Sequence, residues 1–155
     1  MRNTLLIHFI FFSSILLSQG QVLQHGFDKN EYIKLMQISA RQLDTPWVNS
    51  KFPIPDGYQL IYRSAVVGLD NRWDLWLGKD NIAVISLRGT TQNGISWLEN
   101  FYAAMLPATG SIQINKQYTF NYKMAENPHA AVHTGWLIGT ACLSQTIVPK
   151  IDSLY

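Results

Sequence analysis

The strongest constraint in this chain is Ile82–Leu87, IAVISL, five apolar residues around one Ser that end abruptly in Arg88-Gly89-Thr90-Thr91. A short apolar run without alternation predicts a strand covered on both faces. Two strands are expected before it. From Tyr58 to Val67, β-forming residues occupy both alternating phases. Trp73–Leu77 places Trp73, Leu75 and Leu77 in phase. Gly68–Arg72 and Gly78–Asn81 read as the turns between them. Tyr58–Leu87 is therefore expected to be a three-stranded meander whose last strand runs into a deep core.

Helices are expected on either side of the meander. Asp28 followed three residues later by Glu31 reads as an N-cap with a capping-box Glu. Behind it Tyr32, Leu35, Met36, Ser39, Ala40 and Leu43 fall on one helical face. The spacing predicts a helix from about Lys29 to Leu43, stopped by Pro46, then a loop over Lys51–Gly57. Ile112–Lys123 predicts a hairpin, with Ile112 and Ile114 against Tyr118, Phe120 and Tyr122, turning at Asn115-Lys116-Gln117. After Pro128, Trp136, Leu143, Ile147, Ile151 and Leu154 recur at helical intervals. Pro149 should kink this helix or begin a second one.

The N-terminus has one early Arg, an apolar stretch from Leu5 to Leu17, and the small residues Ser18 and Gly20. This order is that of a secretory signal peptide over residues 1–20, cleaved between Gly20 and Gln21. A membrane anchor is the alternative, but a spanning helix needs about 20 apolar residues. The mature chain is thus expected to be secreted or periplasmic.

Composition narrows the function classes. The net charge is +2, with Arg2 inside the leader. No Lys/Arg run is present, so nothing favours a nucleic-acid partner. The single cysteine, Cys142, excludes an internal disulfide and a Cys-rich zinc site. Beside Ala141, Leu143 and Ile138 it reads as a small buried hydrophobe that requires no disulfide partner. His129 and His133 have i, i+4 spacing, but no Glu lies between them as HExxH would require. No metal site is expected.

Chemistry concentrates where IAVISL ends, because open α/β sheets hold ligands beyond the carboxyl ends of their strands. Arg88 could bind a carboxylate, although a structural ion pair is the better reading. Gly89 permits close approach of the backbone. Thr90 offers an N–H and a hydroxyl, a donor pair suited to a developing oxyanion; from these residues alone an ordinary Gly-Thr turn is the better reading. Next, Ile95, Trp97, Leu98, Phe101 and Tyr102 have helical spacing, with Asn93 and Gly94 ahead of them. A lid over an apolar pocket and a packed surface helix satisfy that pattern equally.

Taken in order, LRGT (Leu87–Thr90), Trp-Leu-x-Asn (Trp97–Asn100) and VHTGW (Val132–Trp136) resemble the class 3, fungal-lipase-like family of α/β-hydrolases. The resemblance spans roughly Glu31 to Tyr155. It implies an α/β fold, the N-terminal portion of an α/β-hydrolase sheet: helix, three-stranded meander, lid helix, hairpin and long helix. It implies a serine mechanism on ester bonds of acylglycerol-type lipids, no cofactor, and interfacial lipid contact through the lid. Thr90 matches the family's oxyanion-hole residue. Ser96–Asn100 match the lid, with Trp97 over the pocket and Ile95 and Leu98 beside it. Arg88, Gly89, His133 and Gly135 match positions that are structural near the site. Leu87 stands where an aromatic is common, and Ser96 where an Asp is frequent.

The family's nucleophile sits in a G-x-S-x-G elbow after the VHxGW helix, with Asp and His further on. This sequence contains no G-x-S-x-G. Residues 21–155 are therefore expected to be the N-terminal part of such a domain, without its catalytic triad and inactive alone. A non-catalytic lipid- or partner-binding protein, and a half-enzyme completed in trans, are the alternatives.

Overall fold

The computed structural model describes residues 26–43, 45–79 and 82–154. The leader assigned to residues 1–20 lies outside them. Among the described residues no helix is long and apolar enough to cross a membrane.

Asp28 opens the first helix, α1 (Lys29–Ala40). Its carboxylate accepts the N–H groups of Asn30 and Glu31 at 2.7 and 2.9 Å. Two of the N–H groups that a helix start leaves without partners are thereby satisfied. The helix ends at Ala40, three residues before the expected Leu43. Its buried stripe also differs: Ile38 is buried, while Tyr32, Met36 and Leu43 are exposed. Polar anchoring sets this rotation. Gln42 is buried and donates to the Ser86 carbonyl at 2.7 Å, and the Arg41 carbonyl accepts from Arg63.

Pro46 does not merely end a helix. It begins α2 (Pro46–Lys51), capped by the Thr45 hydroxyl. Its missing N–H is harmless in the first turn, where the donor would have no intrahelical partner. The expected loop therefore begins only after α2.

The meander forms as expected, from β1 (Tyr58–Arg63), β2 (Trp73–Gly78) and β3 (Ala83–Leu87), antiparallel in the order β1-β2-β3. β1 stops at Arg63, before the expected Val67. Gly68 at φ +54° and Asp70 at φ +65° wrap the turn around an isolated Val67–Asn71 bridge. β2, not β3, is the strand covered on both faces. Trp73, Leu75, Asp74 and Trp76 are all buried. The register places Tyr62 and Ile85 beside Leu75, and Arg63 and Ser86 beside Asp74. Paired residues share a face. Trp73 and Leu75 therefore point to the layer of the last helix, and Asp74 and Trp76 to the layer of α1.

The expectation for IAVISL is thus corrected. β3 alternates, with Ser86 buried while Ile85 and Leu87 stay exposed. Among the described residues β3 pairs only with β2, and its other edge is open. Ile85 and Leu87 share the face of Leu75 and Trp73, toward the layer of the last helix, but remain 38% and 54% exposed, so that face is only partly covered at β3.

The rest of the chain supports the last helix. The next helix, α3 (Gly94–Phe101), leads into β4 (Met105–Pro107). A hairpin follows, β5 (Thr109–Asn115) and β6 (Tyr118–Lys123), with Ile112 opposite Phe120 as expected. β7 (Ala131–His133) returns to pair with β4, a pairing too short for sequence periodicity to reveal. It delivers the chain into α4 (Thr134–Asp152). α4 runs unbroken through Pro149, with no second helix. Pro149 sits in the last turn, and its missing N–H removes one helical bond, the one to the Gln145 carbonyl, without ending the helix. Leu143 of α4 packs with Trp73 and Leu75, and the Trp73 indole N–H donates to Thr146 at 2.9 Å. Burial of each such large side chain contributes about 1.5–3 kcal/mol. The architecture is mixed α/β, with small open antiparallel sheets between helices.

Candidate functional site

Arg88 leaves β3 and turns back toward the β1–β2 turn. Its guanidinium pairs with the Asp70 carboxylate at 2.9 Å, both side chains being largely buried, and also reaches the Asp70 carbonyl. Asp70 further accepts from the Thr91 hydroxyl at 2.6 Å. The preferred reading of Arg88 as a structural ion pair agrees with this geometry. Asp70 thereby holds both ends of the Arg88–Thr91 segment.

The two residues between those anchors are left open. Arg88 N–H donates to the Arg72 carbonyl and Thr91 N–H to the Ser96 hydroxyl. Among the described residues the N–H groups of Gly89 and Thr90 meet no acceptor. The Thr90 hydroxyl accepts from the Asn100 side-chain amide at 3.0 Å. The Asn100 oxygen in turn accepts from the Trp136 indole at 3.5 Å, a long contact. Indole N–H only donates, so the Asn100 amide must present its nitrogen to Thr90. That leaves the Thr90 proton free to point elsewhere.

α3 is positioned by its polar side. Asn93 caps it. Ser96 is buried and Glu99 half-buried, whereas Ile95, Trp97, Leu98, Phe101 and Tyr102 are exposed. The expected apolar face exists, but it points away from the body of the protein. Trp97 stacks on Phe101 at 6.1 Å and covers no cleft. The inward side lies on α4 at two glycines one turn apart. A Cβ on Gly135 would sit 1.8 Å from the Glu99 carbonyl oxygen, and one on Gly139 would sit 2.1 Å from a Glu99 carboxylate oxygen. Gly135 is thus the contact that lets α3 approach.

The first turn of α4 is satisfied from the same side. Thr134 N–H and Gly135 N–H donate to the carbonyls of Ala104 and Tyr102, and His133 Nδ1 accepts from Trp136 N–H at 3.4 Å. His133 Nδ1 is thus engaged as the helix cap, and its ring lies 5.2 Å from that of Trp136.

These elements meet at a cleft of about 160 Å³ lined by Asn71, Arg88, Gly89, Thr90, Ser96, Glu99, Asn100 and Trp136. Three sequence-distant motifs therefore converge on one place: the strand end, the Trp-Leu-Glu-Asn helix and the Trp of VHTGW. His133 and Gly135 lie just behind it, while Ile95, Trp97 and Leu98 face outward. Sequence reasoning passed over Asp70, Asn71 and Glu99. For Glu99 the available signal was the Gly135/Gly139 spacing; for Asp70 and Asn71 there was none beyond the turn itself.

Glu99 is the perturbed group of the cleft. Burial pushes its carboxyl up, opposed by the hydrogen bond from Asn71 and the proximity of His133. Cys142 is a free thiol, buried as expected and pushed up by burial and then by the Glu99 charge. A high thiol pKa suits an inert packing residue. Among the described residues no group of three or more His, Cys, Asp or Glu could hold a metal. On the far side of Trp136 lies an open apolar groove of about 430 Å³, lined by Met105, Met124, Val132, Trp136 and Leu137. Comparison with family models, curated proteins and solved structures gives no match to this chain.

Proposed function

We propose that this chain is the oxyanion-binding N-terminal part of a secreted ester hydrolase of the class 3 lipase type, acting on acylglycerol-type lipids. The observation that carries the reading is Thr90. It lies just beyond the carboxyl end of β3, its N–H meets no acceptor among the described residues, and its hydroxyl accepts from Asn100. Thr90 therefore has two donors, its N–H and its hydroxyl, to offer a developing negative charge, as acyl transfer requires.

In this reading a serine outside these residues attacks the ester carbonyl, and a His–Asp pair moves its proton to the departing alcohol. Thr90 holds the carbonyl oxygen while it carries negative charge. Water then releases the acid. The edge of β3 left open among the described residues, with Ile85 and Leu87 partly exposed beside it, suits the strand that would carry the serine. The N-terminal leader supports secretion.

The test is hydrolysis of p-nitrophenyl esters by the polypeptide that joins this chain to the elbow-bearing residues. It should be active, and Thr90→Val should lower kcat about 10²–10³-fold with little change in KM, the usual cost of one oxyanion donor. Thr90→Ser should retain most of the rate. Equal rates for Thr90→Val and the parent would remove the Thr90 hydroxyl from the chemistry.

A second reading, a non-catalytic lipid-binding protein, is favoured by the apolar groove at Met105, Met124 and Trp136. It predicts that this chain alone binds fatty acids in stoichiometric amounts and hydrolyses nothing. A half-enzyme completed in trans predicts activity only on mixing with a second polypeptide.

A further inference from the structure

The seam between α3 and α4 contains a carboxylate that is poorly matched to its place. One Glu99 oxygen accepts from Asn71 at 2.9 Å. The other faces Gly139 so closely that a Cβ there would overlap it, and it has no donor among the described residues. Ionised carboxylates have capacity for about four hydrogen bonds, so this one loses more solvation than it recovers.

The charged and titratable groups around Glu99 offset this loss only in part, the proximity of His133 acting against the rise. From α4 come His133, whose Nδ1 is occupied as the helix cap, and Cys142, which is a free thiol. From the β1–β2 turn come Asn71, which is neutral, and Asp70. From the end of β3 comes Arg88, already paired with Asp70. α3 itself carries no other ionisable side chain.

We propose that Glu99 makes the docking of α3 on α4 proton-dependent, so that α3 is held tightly when the carboxyl is protonated and loosely when it is ionised. The direction follows from linkage. A carboxyl whose folded value is raised binds its proton more tightly in the docked state. Its contribution is complete below the ordinary value of 4.5 and is lost as pH rises through the raised one. Asn100 sits beside Glu99 on α3 and orients the Thr90 hydroxyl, so loosening α3 would also release Thr90. The inference concerns the helix seam and stands whether or not the chain belongs to a hydrolase.

The test is hydrogen exchange of the whole chain, reported as the protection of α3 amides relative to those of α1, between about pH 4 and pH 8. In the parent, relative α3 protection should fall several-fold as pH rises across the Glu99 titration. Glu99→Gln keeps an acceptor for Asn71 and removes the charge. Its α3 protection should be independent of pH and match the acid-side parent. A parent profile flat across this range would overturn the proposal even without the variant. So would a Glu99→Gln profile that falls with pH as the parent's does.

Discussion

Asp74→Ala should be among the most damaging substitutions in the protein, lowering stability by about 3–5 kcal/mol, the usual cost of removing one partner from a buried ion pair. Asp74 is fully buried in the central strand. It accepts from Arg63 Nε at 2.9 Å and from Nη2 at 2.8 Å. Without it, Arg63 keeps its charge on a face roofed by α1. The same Nη2 donates to the Arg41 carbonyl at 2.9 Å, just after α1 ends. Arg41 in turn donates to the Phe52 carbonyl, where α2 ends. One carboxylate therefore orients a guanidinium that ties the sheet to α1 and, through it, to α2. Thermal unfolding followed by circular dichroism should show a midpoint lower by roughly 10–20 °C. Asp74→Asn keeps an acceptor but not the charge and should fall between Ala and the parent. An Asp74→Ala midpoint within about 2 °C of the parent would mean that Arg63 finds other partners and that this face is not held by the pair.

The second large effect is expected at Gly135. An added methyl would meet the Glu99 carbonyl oxygen at 1.8 Å, which is backbone and cannot rotate away. Overpacking of this kind costs typically about 1–3 kcal/mol. Here the strain can be relieved only by lifting α3 from α4. Gly139→Ala meets the end of the Glu99 side chain at 2.1 Å instead, and that group can swing aside. Gly135→Ala should therefore abolish exchange protection across α3, while Gly139→Ala should reduce it modestly. The order of the two variants is the check. If Gly139→Ala proves the worse, the helix contact is set by the carboxylate and not by the backbone.

The contrast between these residues shows which parts of the fold the sequence could express. The Asp28 cap, the three-strand meander, the hairpin and the start of α4 within VHTGW rest on local signals, and all four are present. IAVISL misled because periodicity records how apolar a segment is and not which neighbours cover it. The last helix covers Trp73 and Leu75 on β2 but leaves Ile85 and Leu87 on the same face of β3 partly exposed. The buried stripe of α1 was set by Gln42 and Arg41, polar residues that an apolar count ignores. Pro46 was read as a stop, yet a proline is equally at home in the first turn of a helix.

The candidate site was legible in part. Thr90, Gly89 and Arg88 could be named because the strand end brings them together in sequence. The Trp-Leu-x-Asn segment carried Asn100, but not its bond to Thr90, which joins two elements in space. α3 was expected to turn its apolar residues inward, and Ser96 and Glu99 occupy that side instead. Its outward face, with Ile95, Trp97, Leu98 and Phe101, is the kind of exposed apolar patch that marks an interaction surface.

If, as proposed, Thr90 and its cleft serve a serine ester hydrolase, the nucleophile lies outside these residues. The most direct measurement is to read the transcript onward from the codon for Tyr155. The frame should continue into an apolar strand and a G-x-S-x-G elbow, followed by Asp and His. An authentic stop with no neighbouring frame encoding that elbow would contradict the proposal and leave the binding reading in its place.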